Sequence, residues 1–425
     1  VSHPIYDPAL LSIRKIRNKG ANAESTYNQN RRLILQLIKD MGVISRKTLA
    51  VRTGLQLATI TMIINELLEK GIIQETGFID GDSGRKIMGF GLIRDKYCTI
   101  VSRISVSYFT IGVYDIDNEN LYIDKVFMDT LSNINRTCDA IAKEIKELKK
   151  KFSHKVILGV AIGVEGPFVI KDGYYKMPDP HSPDGYFDIG RVLSNKLSLP
   201  VIVNRQNNFA VYNLWMEENK SNHLGIFINI TVSYTIECGI MVNGEILNGF
   251  NGSAGLLGKV LIDQDTPNTL NERCSSTYVL KRVHDSLKDH PESVLNQIKG
   301  EINIRDVIKA FILEDELAVE IFTDVGKYLG QIVASITNFL NPDHILLGDE
   351  IPQTERMHSI IENEARKYIS PEVNLNFHMF ILDFESHRQS KIDPSLLGAS
   401  RYIVDAFIQS IDFTKIGNGT LQKQE

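Results

Sequence analysis

Cysteine is scarce in this chain and scattered. Cys98, Cys138, Cys238 and Cys274 are the only four in 425 residues, with no CxxC pair and no disulfide-type spacing. That pattern excludes a disulfide scaffold and reads as a reduced, intracellular protein. No apolar run approaches the ~18–20 residues of a membrane span, so no membrane partner is expected. The first residues, VSHPIYDPALL, lack a charged segment leading into an apolar one, so no signal peptide is read there and the cytoplasm is the expected location. Net charge is low too, at −5, so the whole molecule is not a nucleic-acid glue. Its distribution is uneven. Residues 1–96 carry 15 Lys and Arg against 9 Asp and Glu, and the remainder 32 against 43. A basic head on an acidic body fits a protein that touches phosphates with one end only.

The head supplies a motif to match. RRLILQLIKDM, residues 31–41, places Leu33, Ile34, Leu37, Ile38 and Met41 at the spacing of one helix face. Ser45 stands where an N-cap belongs, before a short helix over 46–53. Gly54 supplies a sharp turn, and LATITMIINELLEK, residues 57–70, forms a second helix with Ile60, Ile63, Ile64, Leu67 and Leu68 on its buried side. Two short β-capable runs follow around the tip DGDSG, with Arg85 and Lys86 just past it. Together these read as a winged helix-turn-helix, a double-stranded DNA reader. On its second helix Gln56, Ala58, Thr59, Thr61 and Asn65 are candidate base contacts, since amides suit adenine and small apolar groups the thymine methyl. Arg46, Lys47, Arg85 and Lys86 are candidates for phosphate or the minor groove.

The body reads as α/β in two similar halves. TIVSRISV, YFTIGVYDI and LYIDKVFM predict three antiparallel strands, followed by an amphipathic helix at 133–151 and the buried strand VILGVAIG. LGIFINITV, YTIECGIMV and GEILNGF, with a turn at Asn243-Gly244, repeat the pattern, followed by a helix at 317–340 and the strand HILLG. The expected division is an N-terminal arm (1–27), a winged head (28–96), a first lobe (97–220), a second lobe (221–405) whose last helix crosses back to the first, and a tail (406–425).

The winged helix, then GRKIMGF, then a duplicated body containing AIGVEGP, LPVIVNRQNN and GSAGLLGK, resembles the ROK family of bacterial sugar kinases and repressors. The resemblance runs from about Asn28 to about Asp405. It implies a two-lobed actin-like ATPase body of ribonuclease H-like type, and the winged head places the chain with the xylose- and N-acetylglucosamine-type repressors. The family's chemistry does not carry over residue by residue. The DxGxT phosphate and metal motif falls on Arg103-Ile104-Ser105-Val106-Ser107. The Thr-Gly-x-Gly turn falls on Tyr234-Thr235-Ile236-Glu237, which has no glycine to bring N–H groups to a phosphate. Gly348-Asp349 stands for a Gly-Gly near the adenosine. E-N-D-x-N falls on Asn204–Asn208, where Gln206 replaces the general base. The family's zinc ligands fall on Lys259 and on PNTLNERC, where only Cys274 survives. No catalytic residue, metal or cofactor is therefore expected.

What fills those slots sets the remaining alternatives. Glu165, Asp179, Arg205, Gln206 and Lys259 are the candidate ligand-binding residues. Arg205 and Lys259 either receive an anionic effector such as a sugar phosphate or sugar acid, or pair internally with Glu165 or Asp179 and leave a vestigial pocket. The expected function is a transcriptional regulator of carbohydrate genes with a catalytically silent, sugar-sensing body. An effector-independent dimeric DNA binder and an active sugar kinase are the alternatives. Because one winged helix reads half of a site whose halves lie about 34 Å apart, a homodimer or dimer of dimers is expected. The helices at 133–151 and 317–340 are candidates for its interface.

Overall fold

The computed structural model describes residues 23–80, 86–130, 132–166, 169–171, 174–179, 182, 185–218, 225–262, 268–379 and 393–411. The expected wing tip and Arg85, the N-terminal arm up to 22 and the tail from 412 lie outside them. Helix α1 (Ala23–Met41) starts earlier than the expected head boundary. Its buried face is Ile34, Leu35 and Ile38, while Leu33 and Met41 are 44 % and 41 % exposed. Leu35 takes the inward place and rotates the stripe by one position from the expected one. After strand β1 (Ile44–Ser45), Ser45 accepts the Thr48 N–H at 3.1 Å and caps α2 (Arg46–Thr53). Gly54, at φ +70°, closes that helix in the left-handed region. Helix α3 (Leu57–Glu69) buries Ile60, Ile63, Ile64 and Leu67. Strands β2 (Ile73–Asp80) and β3 (Lys86–Leu92) pair antiparallel, and β1 joins the far side of β3 through Ile44 and Phe90.

The duplicated pattern is present in the strand order. Strands β4 (Tyr97–Ile104), β5 (Tyr108–Asp115) and β6 (Asn120–Phe127) form an antiparallel meander. Helix α4 (Ile134–Lys151), capped by Asn133, then leads to β7 (Val156–Val164). A small sheet of β8 (Val169–Lys171), β9 (Tyr174–Pro178) and β10 (Tyr186–Phe187) follows. After α5 (Ile189–Leu197) and β11 (Val201–Arg205), the main sheet has the order β11-β7-β4-β5-β6. The second half opens with α6 (Gln206–Glu218) and the strands β12 (Ile226–Val232), β13 (Ile236–Val242) and β14 (Glu245–Ile246). Helices α7 (Asn271–Cys274), α8 (Ser276–Ser286), α9 (Ile304–Ile312) and α10 (Glu316–Leu340) precede β15 (His344–Asp349). Helix α11 (Glu355–Arg366), β16 (Phe377–Met379) and α12 (Pro394–Ser410) complete it. This sheet has the order β14-β13-β12-β15-β16. Each sheet is thus a three-strand meander joined on its first strand to a strand reached through a helix.

The expected strand GEILNGF is cut to two residues, because Gly249 and Gly252 take φ +70° and +83° and curl the chain off the ladder. The chain packs as two compact units. One gathers the described residues up to 162, 170–203 and those from 399; the other holds 163–169 and 204–398. The lobes therefore part at 203, not 220, because α6 packs on β12 and β13 of the second unit. The apolar faces of α4 and α10 are both used inside their own units, through Cys138, Ile141 and Ile145 and through Leu317, Ile321, Val325 and Leu329. Among the described residues no helix is long and apolar enough to cross a membrane.

Candidate DNA-reading surface and interior polar site

The head is locked before its reading face is presented. Arg31 on α1 donates from Nε to Glu66 on α3 at 2.9 Å, Tyr27 donates to the same carboxylate at 3.1 Å, and Arg31 lies over the Tyr27 ring at 4.2 Å. With α3 held on its inner side, Gln56, Ala58 and Asn65 are exposed and Thr59 and Thr61 half-buried. Gln56 occupies the N-cap of α3, yet its amide makes no capping bond there. Thr61 donates its hydroxyl to the Leu57 carbonyl at 2.8 Å. Lys47 is exposed on the first turn of α2, and Lys86 is exposed where β3 begins opposite Asp80.

Arg46, expected as a phosphate contact, is engaged within the head. Its guanidinium donates to Asn65 at 3.0 Å and stacks on Phe90 at 4.3 Å. The Asn65 amide oxygen is thereby tied to α2. The sequence reading also missed Leu57 and Met62, 55 % and 54 % exposed on α3, and Phe78, 68 % exposed on the wing strand β2. The signal was present. Met62 falls opposite the 60-63-64-67 stripe, so a helix that buries that stripe exposes it, whereas Leu57 continues the stripe and is exposed as the first residue of α3.

The second constellation lies at the start of α6, inside the second unit. Asn204, Arg205, Gln206, Asn207 and Asn208 are all buried, Arg205 at 1 % exposure. The Arg205 guanidinium donates to the Ala254 carbonyl and, at 3.1 Å, to that of Cys238, and faces Glu237 at 3.5 Å. Gly255 makes this approach feasible, since a Cβ there would run into the Cys238 carbonyl and crowd the guanidinium. Asn207 donates to Glu237 at 3.5 Å and accepts from Thr231 and from Asn229. Asn208 donates to Asn204 at 2.8 Å, and Ser233 donates to Glu165. Burial pushes the Glu237 carboxyl above its ordinary range, while the Arg205 charge, the Asn207 amide and the Gly166 N–H draw it back.

The two cations expected to line a charged pocket differ in burial. Arg205 and Gln206 are interior, Lys259 is exposed on the turn after Leu256, and Asp179 belongs to the first unit while the other four belong to the second. Arg205 does pair internally, but its partner is Glu237, not Glu165 or Asp179. Glu237 lies 32 positions from Arg205, so nothing local marks the two as partners.

The same geometry bears on the groups the fold would otherwise imply. Tyr234–Glu237, the run that the resemblance assigns to a phosphate turn, holds a buried carboxyl and no glycine, which does not fit a phosphate. No acid lies between Asn204 and Leu214 to serve as base. Cys274 is 1 % exposed, its thiol is pushed up by burial, and its Sγ lies 3.8 Å from the Val325 carbonyl. With Lys259 in place of an imidazole, this donor set does not fit zinc. Among the described residues no three His, Cys, Asp or Glu side chains form a group that could hold a metal ion. Elemental analysis of chelator-free protein should find well under one zinc per chain; a stoichiometric zinc would overturn the assignment of Cys274 as a packed core thiol.

Comparison with known proteins agrees with this architecture. The model of the ROK family matches residues 99–403, and that of a winged helix-turn-helix DNA-binding domain matches residues 27–74. The chain is 23 % identical over 346 residues to the xylose repressor of Bacillus spizizenii, covering 81 % of this chain and 87 % of that protein. It is 24 % identical over 357 residues to the DNA-binding transcriptional dual regulator NagC of Escherichia coli, covering 79 % and 84 %. The crystal structure of a ROK family transcriptional regulator, described as a homolog of the E. coli MLC protein, superposes with a TM-score of 0.73. That match has 22 % identity and covers 92 % of this chain and 99 % of the other.

Proposed function

The chain belongs to the ROK family, and from that premise we propose that it is a sequence-specific transcriptional repressor of carbohydrate genes whose kinase-like body is catalytically silent. The observation that carries this is the exposed, uncapped N-terminal face of α3, with Gln56, Ala58 and Asn65 presented by a fully packed winged head. The relatives named as xylose and N-acetylglucosamine repressors support the choice of a carbohydrate signal. A gel shift on the DNA upstream of its own gene tests it. Retardation at physiological salt that survives random competitor DNA supports the reading, and equal binding of both DNAs removes it. With Mg²⁺-ATP and a hexose panel, a coupled ADP-release assay should stay at background.

The effector best supported is a neutral sugar. Glu237 balances the Arg205 charge, so one of the two cations that argued for an anionic ligand is already neutralised inside the protein. A body with no effector is the second reading, favoured by the burial of the whole Asn204–Asn208 run. A thermal-shift screen of sugars and sugar phosphates separates them. Stabilisation by neutral sugars alone supports the first reading, and no shift from any of them supports the second.

Two heads are needed to read two half-sites, so we assign the protein a dimeric state. With the apolar faces of α4 and α10 consumed internally, the interface draws on other surface. Sedimentation at micromolar concentration should show a dimer or larger, and a strict monomer with full operator affinity would count against it.

A further inference from the structure

Helix α12 belongs to both units. Its first turn, through Gly398, lies in the second unit, and from Ala399 onward it lies in the first. Gly398 rests against the carbonyl of Phe209 in α6, where any Cβ would collide, and near the side chain of Asn213. Helix α6 is the element that opens with the buried Gln206-Asn207-Asn208 run. In the next turn Ser400 is pinned in the first unit, with its hydroxyl 2.8 Å from that of Thr99 and donating to Asn118 at 3.1 Å. The far end of α12 meets the head. Asp405 accepts from Gln36 at 2.9 Å and forms an ion pair with Lys39, in which the two side chains are only 15 % and 10 % exposed. Just past the end of α12 the Ile411 carbonyl accepts from Arg32 at 3.4 Å, and the Phe407 ring lies 6.3 Å from that of Tyr97. Arg32, Gln36 and Lys39 are spaced i, i+4, i+7, so one face of α1 is given over to α12.

From this we infer that Asp405 is a positioning residue for DNA reading: its bonds to Gln36 and Lys39 clamp the head's first helix to α12 and fix the direction in which α3 points. The inference rests on the DNA-binding reading above. A head held only by its linker would pay orientational entropy each time two heads engage two half-sites together, and a clamped head is pre-organised. This also explains a charge pattern without a role in the head's own core. Gln36 and Lys39 flank Leu35 on the side of α1 away from Ile34 and Ile38, and a solvated face would not bury an ion pair.

The test uses the full chain and a duplex with two half-sites, selected by the native protein from a random pool, together with the same duplex cut to one half-site. Asp405→Ala should bind the two-site duplex about tenfold more weakly, the scale of losing hydrogen bonds to a charged group, with half-site affinity unchanged. It should also tolerate altered half-site spacing better than the native chain. Lys39→Asp paired with Asp405→Lys should recover most of the loss. Equal weakening on both duplexes, native binding to both, or no recovery by the charge exchange would each overturn the inference. Amide hydrogen exchange without DNA keeps the clamp separate from the reading it rests on. In Asp405→Ala, exchange should rise in α1 around Arg32–Lys39 while the buried stripe of α3 stays protected, and unchanged exchange in α1 overturns the clamp whether or not the native chain binds DNA.

Discussion

Replacing Arg205 by methionine should destabilise the second unit by about 3–5 kcal/mol, the usual result of stranding one member of a buried ion pair. Glu237 would keep its burial but lose the cation 3.5 Å away and the shared network. For a unit of this size the loss corresponds to a melting temperature lower by roughly 6–20 °C. Its pH dependence has a definite sign. Glu237 already lies above the ordinary carboxylate range, because burial raises it more than Arg205, Asn207 and Gly166 lower it. Removing the guanidinium takes away the largest of the lowering influences, and the folded-state pKa climbs further. A carboxyl raised in the folded state favours folding fully only below its unfolded pKa, and that contribution is lost as pH rises through the folded value. The deficit of Arg205→Met relative to the native chain should therefore be larger at pH 8 than at pH 5 in denaturant titrations.

Two further variants keep that result interpretable. Arg205→Met with Glu237→Gln removes the stranded charge and should recover much of the loss, as apolar or neutral replacements of whole buried pairs often do. Lys259→Met alters an exposed cation and should stay within about 0.5 kcal/mol of native. A native-like Arg205→Met, or a deficit that does not change with pH, would remove Arg205 and Glu237 from their structural role and reopen the anionic pocket.

Elements declared by local pattern were legible in the sequence. The Ser45 cap, the Gly54 turn and the Ile60-Ile63-Ile64-Leu67 stripe depend on neighbours within one or two turns, and each is found where the spacing puts it. The duplicated succession of strands and helices along the chain was legible for the same reason. Where the reading missed, the deciding partner was distant in sequence. Arg46 meets Asn65 and Phe90, 19 and 44 positions away, so nothing local marks these contacts. Arg205 meets Glu237 and the carbonyls of Cys238 and Ala254 from other elements, and a lone arginine in a sugar-site motif reads as a ligand contact until those groups are in place. The small sheet β8-β9-β10 lies in a stretch dense in Gly, Pro and Asp that carries no alternation of its own. The clamp on α12 was out of reach for a further reason: Asp405 and Lys39 are separated by 366 positions.

The DNA interface yields a prediction in which different residues fail in different ways. Gln56→Ala should weaken binding to the selected operator by about 1–3 kcal/mol, roughly five- to 150-fold, while leaving the affinity for random DNA unchanged. That follows from an exposed amide at the start of α3 with no capping bond to lose, so helix stability is not part of the effect. Lys47→Gln and Lys86→Gln should weaken specific and random binding alike, each flattening the dependence of log affinity on log salt by about 0.9. Arg46→Ala separates the two classes. If Arg46 were a phosphate arm it would behave like the lysines. As a strut holding Asn65 at 3.0 Å, it should instead lose operator affinity, leave random binding nearly intact, and show a salt slope close to native. Binding titrations at two or more salt concentrations on both DNAs distinguish these outcomes. A salt slope reduced by a full counterion in Arg46→Ala, with specificity retained, would return Arg46 to the phosphate backbone and leave Asn65 without its support.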